Sequence, residues 1–358
     1  ANKNYKKINF QIKKYNPKIF IVTNKNTYLK IYKKFKRRSN IKIFNSFNEL
    51  KFKNKLDITV SAIPGIAGLK PTIMFTKHSK KILLANKESI ICGWDLINKT
   101  SKKYKTEIIP IDSEHFSISK LIKNYDIKDI EKIYITASGG PFLKLPLKKF
   151  KFIKPKDAIK HPKWKMGNKI SVDSATLMNK VLELLEAYKL FSFNKKIYEV
   201  IIHPQSLVHA IVKFKNGITK LLYHEPDMKI PIANAIFNFD ININKLNKKK
   251  NSKKSNNTFF KDLLFEKVDP KRFPIIKIVP KLNIYKSTGI IINAANEILI
   301  DHFLKKKITF NSISKYLFKV IKNKNYKKYA IKQPVDLSSI LAVDKWARVT
   351  TINQLKNK

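Results

Sequence analysis

The feature of this chain that most constrains its fold is a regular alternation of short β-branched segments with segments of helical spacing. Predicted strands lie at residues 19–23, 41–44, 57–63, 81–86, 107–111 and 133–137. Segments of helical spacing in the same region include residues 5–15 and 28–35. Strands and helices that alternate in this way are typical of βαβ units and a parallel sheet. The sequence therefore predicts an α/β fold whose N-terminal domain is Rossmann-like and doubly wound.

Polar motifs directly follow several of these predicted strands. The motifs are Gly65 to Gly68, Asn86-Lys87-Glu88, Asp112-Ser113-Glu114, and Ser138 with the turn behind it. Ligands of doubly wound sheets bind beyond the carboxyl ends of the strands. We therefore expect these groups to gather at one edge of the sheet. Each motif alone has a plainer explanation, because Asn86 and Asp112 suit helix N-caps and Gly139-Gly140-Pro141 suits a tight turn.

The pattern changes in the second half of the chain. Residues 171–189 are predicted to form one helix, with Asp173 or Ser174 as its cap. A strand at 200–203 is followed by a hairpin of 207–214 and 218–223 around Asn216-Gly217, and then by a helix. Helices are predicted at 290–306, 310–322 and 337–355. We expect an α+β catalytic domain and then a small helical domain.

The composition restricts the classes of function. A hydrophobic fraction of 43% is typical of a globular chain. The single Cys92 excludes an internal disulfide framework and favours a reducing compartment. The net charge of +50 comes almost entirely from Lys spread over every segment. Uniform Lys and Asn enrichment favours compositional drift, and a basic polyanion-binding protein stays open as the alternative of another class.

Three carboxylates indicate a metal site. Asp112 and Glu114 are two residues apart, so on an extended chain their side chains would share one face. With Glu183 they offer three hard oxygen ligands, which suit Mg²⁺ or Mn²⁺. The lack of a Cys/His cluster in the sequence argues against zinc. Lys180 and Glu183 on one helix face could also be an ordinary surface ion pair.

A second group of side chains suits a phosphate monoester. Ser138, Ser174 and Asn179 supply neutral polar groups, and Lys180 supplies a cation. His161, which precedes a Pro, is a candidate to contact the phosphate or to position the substrate. Trp164 and Met166 lie on a loop flanked by Pro and Gly, which suits a lid that excludes water.

At these residues the chain closely resembles the 1-deoxy-D-xylulose 5-phosphate reductoisomerase family over essentially its whole length. The motifs that carry the resemblance are 85–89 (Ala-Asn-Lys-Glu-Ser), 112–115 (Asp-Ser-Glu-His), 137–142, 161–183, 203–206, 225–228 and 293–297. The resemblance implies that 1-deoxy-D-xylulose 5-phosphate is rearranged and then reduced with NADPH to 2-C-methyl-D-erythritol 4-phosphate. The product belongs to the non-mevalonate route to isoprenoids.

The resemblance also implies roles for single residues. It implies metal ligands at Asp112, Glu114 and Glu183, with Lys87 and His161 completing the catalytic set. It implies substrate contacts at Lys87, Ser113, Glu114, Ser138, His161, Ser174, Asn179, Lys180 and Glu183. It implies NADPH contacts at Asn2, Lys3, Asn4, Asn86, Glu88 and Gly167, and a lid that contains Trp164 and Met166.

The domain boundaries follow from the pattern and the resemblance together. We expect an incomplete NADPH-binding Rossmann-like domain at 1–111, a catalytic metal and substrate domain with the lid at 112–240, a linker at 241–258, and a helical domain at 259–358. Members of the family usually form homodimers. A bacterial cytoplasmic location is favoured, and a plastid is the alternative.

Departures from the family pattern lead to a further expectation. Family members begin with a strand and a Gly-rich dinucleotide turn, and no such turn precedes Asn2 here. We expect either a fragment of a longer protein or a drifted remnant that binds NADPH weakly. Val181 and His224 stand where the family tends to have Gly, and this affects only the expected local packing.

Overall fold

The computed structural model of the chain describes residues 1–38, 40–164, 166–243 and 262–356. It divides into two compact units, Ala1–Lys55 and Leu56–Lys358. The linker expected at 241–258 lies almost wholly outside the described residues. The four predicted segments and the three boundaries between them stay predictions. In the described part of the chain, the helices are too short or too polar to cross a bilayer.

The first unit contains two helices and two parallel strands. The elements in order are α1 (Tyr5–Tyr15), β1 (Ile19–Ile21), α2 (Lys25–Phe35) and β2 (Lys42–Phe44). The side chain of Asn4 caps α1 by accepting a hydrogen bond from the Lys7 amide at 2.9 Å. Ile8 and Ile12 of α1 are buried with Ile31 and Phe35 of α2, which gives the unit a core of its own. The predicted elements of this region are confirmed.

The second unit begins with a three-stranded parallel sheet and its helices. The elements are β3 (Leu56–Ser61), α3 (Leu69–His78), β4 (Ser79–Leu84), α4 (Lys87–Tyr104) and β5 (Glu107–Pro110), and the strand order is β3-β4-β5. Leu83 and Leu84 of the central strand are fully buried, as expected for a strand covered on both faces. The predicted parallel sheet and alternating order are confirmed.

A separate five-stranded mixed sheet follows. The helix α5 (Ser113–Leu121) precedes this sheet in the chain. The strands of the sheet are β6 (Ile130–Ala137), β7 (Tyr198–Ile202), β8 (Val208–Phe214), β9 (Thr219–Tyr223) and β10 (Glu266–Lys267), and their order is β10-β7-β6-β8-β9. The predicted hairpin is β8–β9. The expectation that all the polar motifs lie at one edge of one sheet is wrong, because β6 pairs with β7 and β8 and not with β5.

The helix predicted at 171–189 is two helices. They are α7 (Asn168–Thr176) and α8 (Met178–Leu190), and the short α6 (Pro155–Ala158) precedes them. Leu177 breaks the helix with a left-handed φ of 66°, while its side chain is only 1% exposed. Burial of that side chain offsets the unfavourable backbone conformation. The predicted cap at Asp173 or Ser174 is also wrong, since α7 begins at Asn168 after Gly167.

The remainder of the second unit is helical. Its helices are α9 (Lys229–Phe237), α10 (Thr288–Leu304), α11 (Phe310–Ile321), α12 (Tyr326–Ala330) and α13 (Leu337–Lys356). One short 3₁₀ helix lies in the first unit, at Phe47–Glu49, and others lie in the second unit at Ile66–Gly68, Ile127–Asp129, Leu147–Phe152, Lys195–Ile197 and Pro274–Lys281. Ala294 and Ala295 of α10 are fully buried in the main core, which confirms close packing at the small residues of this helix. The predicted C-terminal helices are confirmed.

Candidate active site

Three carboxylates converge at the junction of the two sheets of the second unit. Asp112 directly follows β5, Glu114 lies in the first turn of α5, and Glu183 lies on α8. One carboxylate oxygen of each lies within 4.8 Å of the others. Asp112 and Glu114 do not share an extended chain as expected, because α5 begins at Ser113. Asp112 is the N-cap residue, and its backbone is still extended, with φ of −60° and ψ of 134°, while Glu114 lies in the first helical turn.

Two lysine ammonium groups lie among these carboxylates. Lys87, the first residue of α4, places its Nζ 2.9 Å from Asp112 Oδ2 and 3.2 Å from Glu183 Oε1. Lys180 on α8 lies 2.7 Å from Glu183 Oε2 and also contacts Glu114 Oε1. The interpretation of Lys180 and Glu183 as a surface ion pair is wrong, since their side chains are 9% and 1% exposed. The positions of the two ammonium groups show that the space between the three carboxylates favours positive charge.

The surroundings shift the pKa values of the three carboxyl groups in different directions. Burial opposes ionisation of Asp112, but the Lys87 ammonium outweighs it and lowers the pKa of this carboxyl. Burial and the Lys180 ammonium compete in the same way at Glu114, and the pKa of Glu114 is lowered. Burial and the nearby Glu114 together raise the pKa of Glu183. A divalent cation fits this cluster, because three hard oxygens would surround it and Glu183 would gain a counter-charge.

A buried histidine supports the cluster from behind, and the sequence analysis missed it. His115 on α5 places Nδ1 3.3 Å from Glu186 Oε2 and 3.6 Å from Asp112 Oδ2. Burial lowers its basicity, but Glu186 and Asp112 raise the pKa of His115 to about 9. Its Nε2–H donates to the Glu183 carbonyl at 2.9 Å. The three-residue spacing of Glu183 and Glu186 on one helix face was the signal that could have found this pair.

Ser138 and His161 form the polar side of the same cavity. The Nδ1 atom of His161 accepts hydrogen bonds from the amides of Lys163 and Trp164, at 3.1 and 2.9 Å. The ring proton therefore lies on Nε2, which donates to Ser138 Oγ at 3.0 Å. The Gly140 amide also donates to this oxygen, at 3.1 Å. Both lone pairs of Ser138 are thus engaged, and its hydroxyl hydrogen is left for a ligand.

The glycine turn after β6 brings Ser138 close to Ser174. Gly140 has a φ of 63°, and a Cβ at this position would lie 3.0 Å from the Ser174 carbonyl oxygen. Only glycine allows this close approach without strain. Arg272 holds the other side of the turn by donating to the carbonyls of Phe142 and Leu145, at 2.8 and 2.6 Å. The contact spans 130 residues of chain, so the sequence held no signal for it.

These groups line one cavity of about 240 Å³. Every residue predicted to contact substrate or metal, or to belong to the lid, lines it. Asn179 is engaged at both ends, since Oδ1 accepts from Lys87 at 2.9 Å and Nδ2 donates to Glu183. Six further residues line the cavity without a role predicted from the sequence, and these are Ala85, Thr136, Ile170, Ser206, His209 and Met228.

Trp164, which is predicted to belong to a lid, lines this cavity and makes an aromatic contact there. Its ring lies edge-on to His209 on β8, with 6.0 Å between the ring centres. His209 stacks in turn on His224 at 3.9 Å. Burial, followed by His224, lowers the pKa of His209 to about 4, so the ring is neutral near pH 7. A neutral ring allows the stack to form without repulsion between two imidazolium groups.

A second cavity, of about 500 Å³, adjoins the first. The two share the lining residues Ala85, Lys87, Ile170 and Asn179. Asn86, Glu88 and Gly167 line the second cavity, together with Lys169, Asp173 and Glu297. Asn86 also caps α4, so the cap interpretation holds beside its place in the cavity. Asn2, Lys3 and Asn4 belong to the first compact unit, and their contact with a cofactor stays a prediction.

Comparisons with known proteins agree with this geometry. Family models described as 1-deoxy-D-xylulose 5-phosphate reductoisomerase, its C-terminal domain and the DXP reductoisomerase C-terminal domain match residues 1–93, 108–191 and 224–350. A 1-deoxy-D-xylulose 5-phosphate reductoisomerase from Pelagibacter ubique is 48% identical over 95% of this chain and 87% of its own length. That of Prosthecochloris aestuarii is 40% identical over 82% and 74%.

Solved structures show the same likeness. A crystal structure of DOX-P reductoisomerase in complex with NADPH, fosmidomycin and magnesium superposes with a TM-score of 0.89 at 31% identity, over 99% of this chain and 90% of that one. The Zymomonas mobilis enzyme in complex with NADPH gives a TM-score of 0.83 at 29% identity, over 100% and 91%. The chain therefore belongs to the 1-deoxy-D-xylulose 5-phosphate reductoisomerase family.

Proposed function

We propose that this chain rearranges 1-deoxy-D-xylulose 5-phosphate and reduces the product with NADPH to 2-C-methyl-D-erythritol 4-phosphate, in a reaction that needs a divalent metal. One observation carries the proposal: the carboxylate cluster and the phosphate-type donors line one cavity, and a second cavity adjoins it. The curated relatives that this chain matches over most of their length have the name of this enzyme.

Asp112, Glu114 and Glu183 are the proposed metal ligands, and Mg²⁺ or Mn²⁺ suits their oxygen chemistry. The metal, when bound, would polarise the carbonyl and an adjacent hydroxyl of the substrate. Lys87 and Lys180 balance the carboxylates in the unliganded chain. Their flexible stems let these ammonium groups turn to the substrate when a metal takes over the counter-charge.

The phosphate is proposed to lie at Ser138, Ser174, Asn179 and Lys180. The Ser138 hydroxyl hydrogen is available, because Gly140 and His161 already donate to its oxygen. Lys180 supplies the positive charge from the inner side of the cavity. Ser113 extends this polar wall, with its hydroxyl 2.6 Å from Glu114 Oε2. Trp164 and Met166 would exclude water from the bound sugar phosphate.

The second cavity is the proposed place of the nicotinamide end of NADPH, with Asn86, Glu88 and Gly167 in contact. A Cβ at Gly167 would meet nothing within 4 Å, so the backbone there is open to a ligand. The shared wall of the two cavities would bring a hydride donor next to the substrate. Homodimer formation and a cytoplasmic location are further proposals, supported by the family's usual assembly and by bacterial relatives.

The function is tested by following NADPH absorbance with substrate, with and without Mn²⁺ after chelation. We expect turnover only when metal is restored. Glu183→Gln is expected to lower kcat by at least about 100-fold, as for other groups that stabilise developing charge. The matched control Glu199→Gln removes a carboxylate paired with Lys132 that is 39% exposed, and wild-type rates are expected.

Equal rates for wild type and Glu183→Gln would remove the metal assignment. A wild-type chain that shows no turnover, and instead binds DNA or RNA with a steep salt dependence, would replace the enzyme by the polyanion-binding alternative.

A further inference from the structure

Lys169 occupies the point where the lid, the second cavity and the central helices meet. It lies in the first turn of α7, directly after the lid segment that ends at Gly167. Its side chain lines the second cavity and is only 28% exposed. No role was predicted for Lys169 from the sequence, in which it is one of many lysines.

The contacts of Lys169 are specific and buried. Its Nζ lies 2.9 Å from Glu88 Oε1 on α4 and 3.0 Å from Asp173 Oδ2 on α7. The side chains of Glu88 and Asp173 are 8% and 1% exposed. Asp173 is fixed from the other side, because the fully buried Asn296 of α10 donates to Asp173 Oδ1 at 2.7 Å. Asp173, which Asn296 fixes, therefore holds the Lys169 ammonium in place, and this ammonium in turn holds the Glu88 carboxylate.

Glu88 depends on this contact for its charge. Burial opposes ionisation of Glu88, while the Lys169 ammonium lowers its pKa and keeps it a carboxylate. Without Lys169, Glu88 would lose its ion-pair partner and its fixed rotamer, and only the smaller contributions of its backbone hydrogen bond and of Lys87 would still lower its pKa. The second cavity would then lack an oriented acceptor at its wall, since an unpaired buried carboxylate moves or takes up a proton.

We propose that Lys169 is a positioning residue for the cofactor: it orients Glu88 in the second cavity and fastens the first turn of α7, and with it the end of the lid, to α4. The inference rests on the proposed function, because the second cavity is taken to receive the nicotinamide end of NADPH. Lys169 reaches the cofactor through Glu88 and is not itself placed on the reacting atoms.

The experiment compares Lys169→Met, Lys169→Arg, Glu88→Gln and the double variant Glu88→Gln/Lys169→Met in the full chain. Calorimetry of NADPH binding without substrate is the first measurement. Lys169→Met is expected to weaken NADPH binding about 10- to 100-fold, the loss associated with one charge-assisted hydrogen bond. Lys169→Arg keeps the charge and is expected to fold normally and to recover part of the affinity.

The kinetic measurements separate positioning from general damage. KM for the sugar phosphate is expected to stay within about 2-fold of wild type, since the phosphate donors are untouched. The isotope effect with NADPH deuterated at the transferred position is expected to rise as hydride transfer slows. The double variant is expected to be no worse than Lys169→Met, because both changes break one contact. Lys305→Met, which removes an exposed pair with Asp301, is the control.

Each outcome of these measurements either supports or overturns the proposed role of Lys169. Lower thermal stability with unchanged NADPH affinity would make Lys169 purely structural and would overturn it. Additive losses in the double variant, or no NADPH binding by the wild type, would also overturn it. Failure of the proposed function shows separately as a wild type that binds NADPH but does not turn over substrate, and calorimetry still decides the role of Lys169 in that case.

Discussion

Two charge clusters of the second unit, one buried and one partly exposed, pair carboxylates with cations in different ways. The site cluster (Lys87, Asp112, Glu114, Lys180 and Glu183) places two ammonium groups among three carboxylates beside a cavity. The brace cluster (Glu297, Asp344 and Arg348) joins α10 to α13 through one guanidinium. Arg348 donates from Nε and Nη2 to Asp344 at 2.7 and 3.1 Å, and from Nη2 to Glu297 at 2.5 Å.

The difference lies in how firmly each cation is fixed. A guanidinium is a planar fork that fits a carboxylate in two places, so the brace cluster has one favoured geometry. An ammonium is a point charge on a flexible stem, and it can exchange partners when a metal or a phosphate arrives. The chain has few arginines, and two of them, Arg272 and Arg348, fix the frame while lysines serve the site. Rigid pairs support the fold, and adjustable pairs leave room for ligands.

The largest expected effect is that of Lys180→Met. Loss of the ammonium is expected to lower kcat/KM by about 10³-fold, because both the phosphate and the carboxylates lose a partner. The affinity for Mn²⁺ in the absence of substrate is expected to rise, since Lys180 no longer competes for Glu114 and Glu183. Steady-state kinetics and Mn²⁺ calorimetry measure the two effects.

Unchanged or weaker Mn²⁺ binding in Lys180→Met would break the comparison, because the ammonium would then not occupy a position that favours a metal. Lys189→Met serves as the matched control, since it lies on the same helix but in its last turn.

An intermediate effect is expected for Arg348→Met. The change leaves Asp344 and Glu297 without their shared partner, and it is expected to lower the free energy of unfolding by about 2 kcal/mol after allowance for partial exposure. Urea unfolding at pH 7 measures this loss, and Mn²⁺ affinity is expected to stay at the wild-type value. Lys213→Met breaks an exposed pair with Glu131 and is expected to leave the urea midpoint of unfolding at the wild-type value.

A loss of Mn²⁺ affinity in Arg348→Met as large as the loss in Glu183→Gln would show that the two clusters are not separate. Equal stability of the Arg348 and Lys213 variants would show that the guanidinium fork adds nothing beyond an ordinary surface pair.

The smallest expected effect concerns the neutral rim of the site. Burial, with a smaller contribution from Lys180, lowers the pKa of His161 to about 4. Because the unfolded chain binds this proton more readily, His161 contributes stability above pH 6.5 that is lost as pH falls towards 4. Histidine NMR is expected to show its titration near 4, and His161→Gln is expected to lower kcat/KM only about 10-fold.

Titration of His161 near 6.5 would contradict this account, since the ring would then be solvated and not held on Ser138. A loss of activity in His161→Gln as large as that in Lys180→Met would place the histidine in the chemistry and not at the rim.

Local pattern was sufficient for most elements and for most of the polar residues that line the first cavity. The start and end of α1 were predicted correctly because helical spacing is a local property. The structure adds the Asn4 cap, which is local as well. The polar residues of the first cavity were predicted to lie together because several polar motifs follow one another in the sequence. Their roles as metal and phosphate ligands stay predictions. The failures have tertiary causes: Leu177 breaks a helix because its burial outweighs local propensity, and β6 leaves the first sheet because its hydrogen bonds go to β7 and β8.

The sequence by itself determined the βα alternation, the set of hard oxygen ligands and the family, since each depends on residue types and on spacing along the chain. Only the tertiary structure decided that Lys87 and Lys180 lie among the carboxylates, that His115 and Glu186 support them, and that Lys169 joins Glu88 to Asp173. These contacts join residues from different helices. Their distances follow from packing, which depends on all the elements together and on no single stretch of sequence.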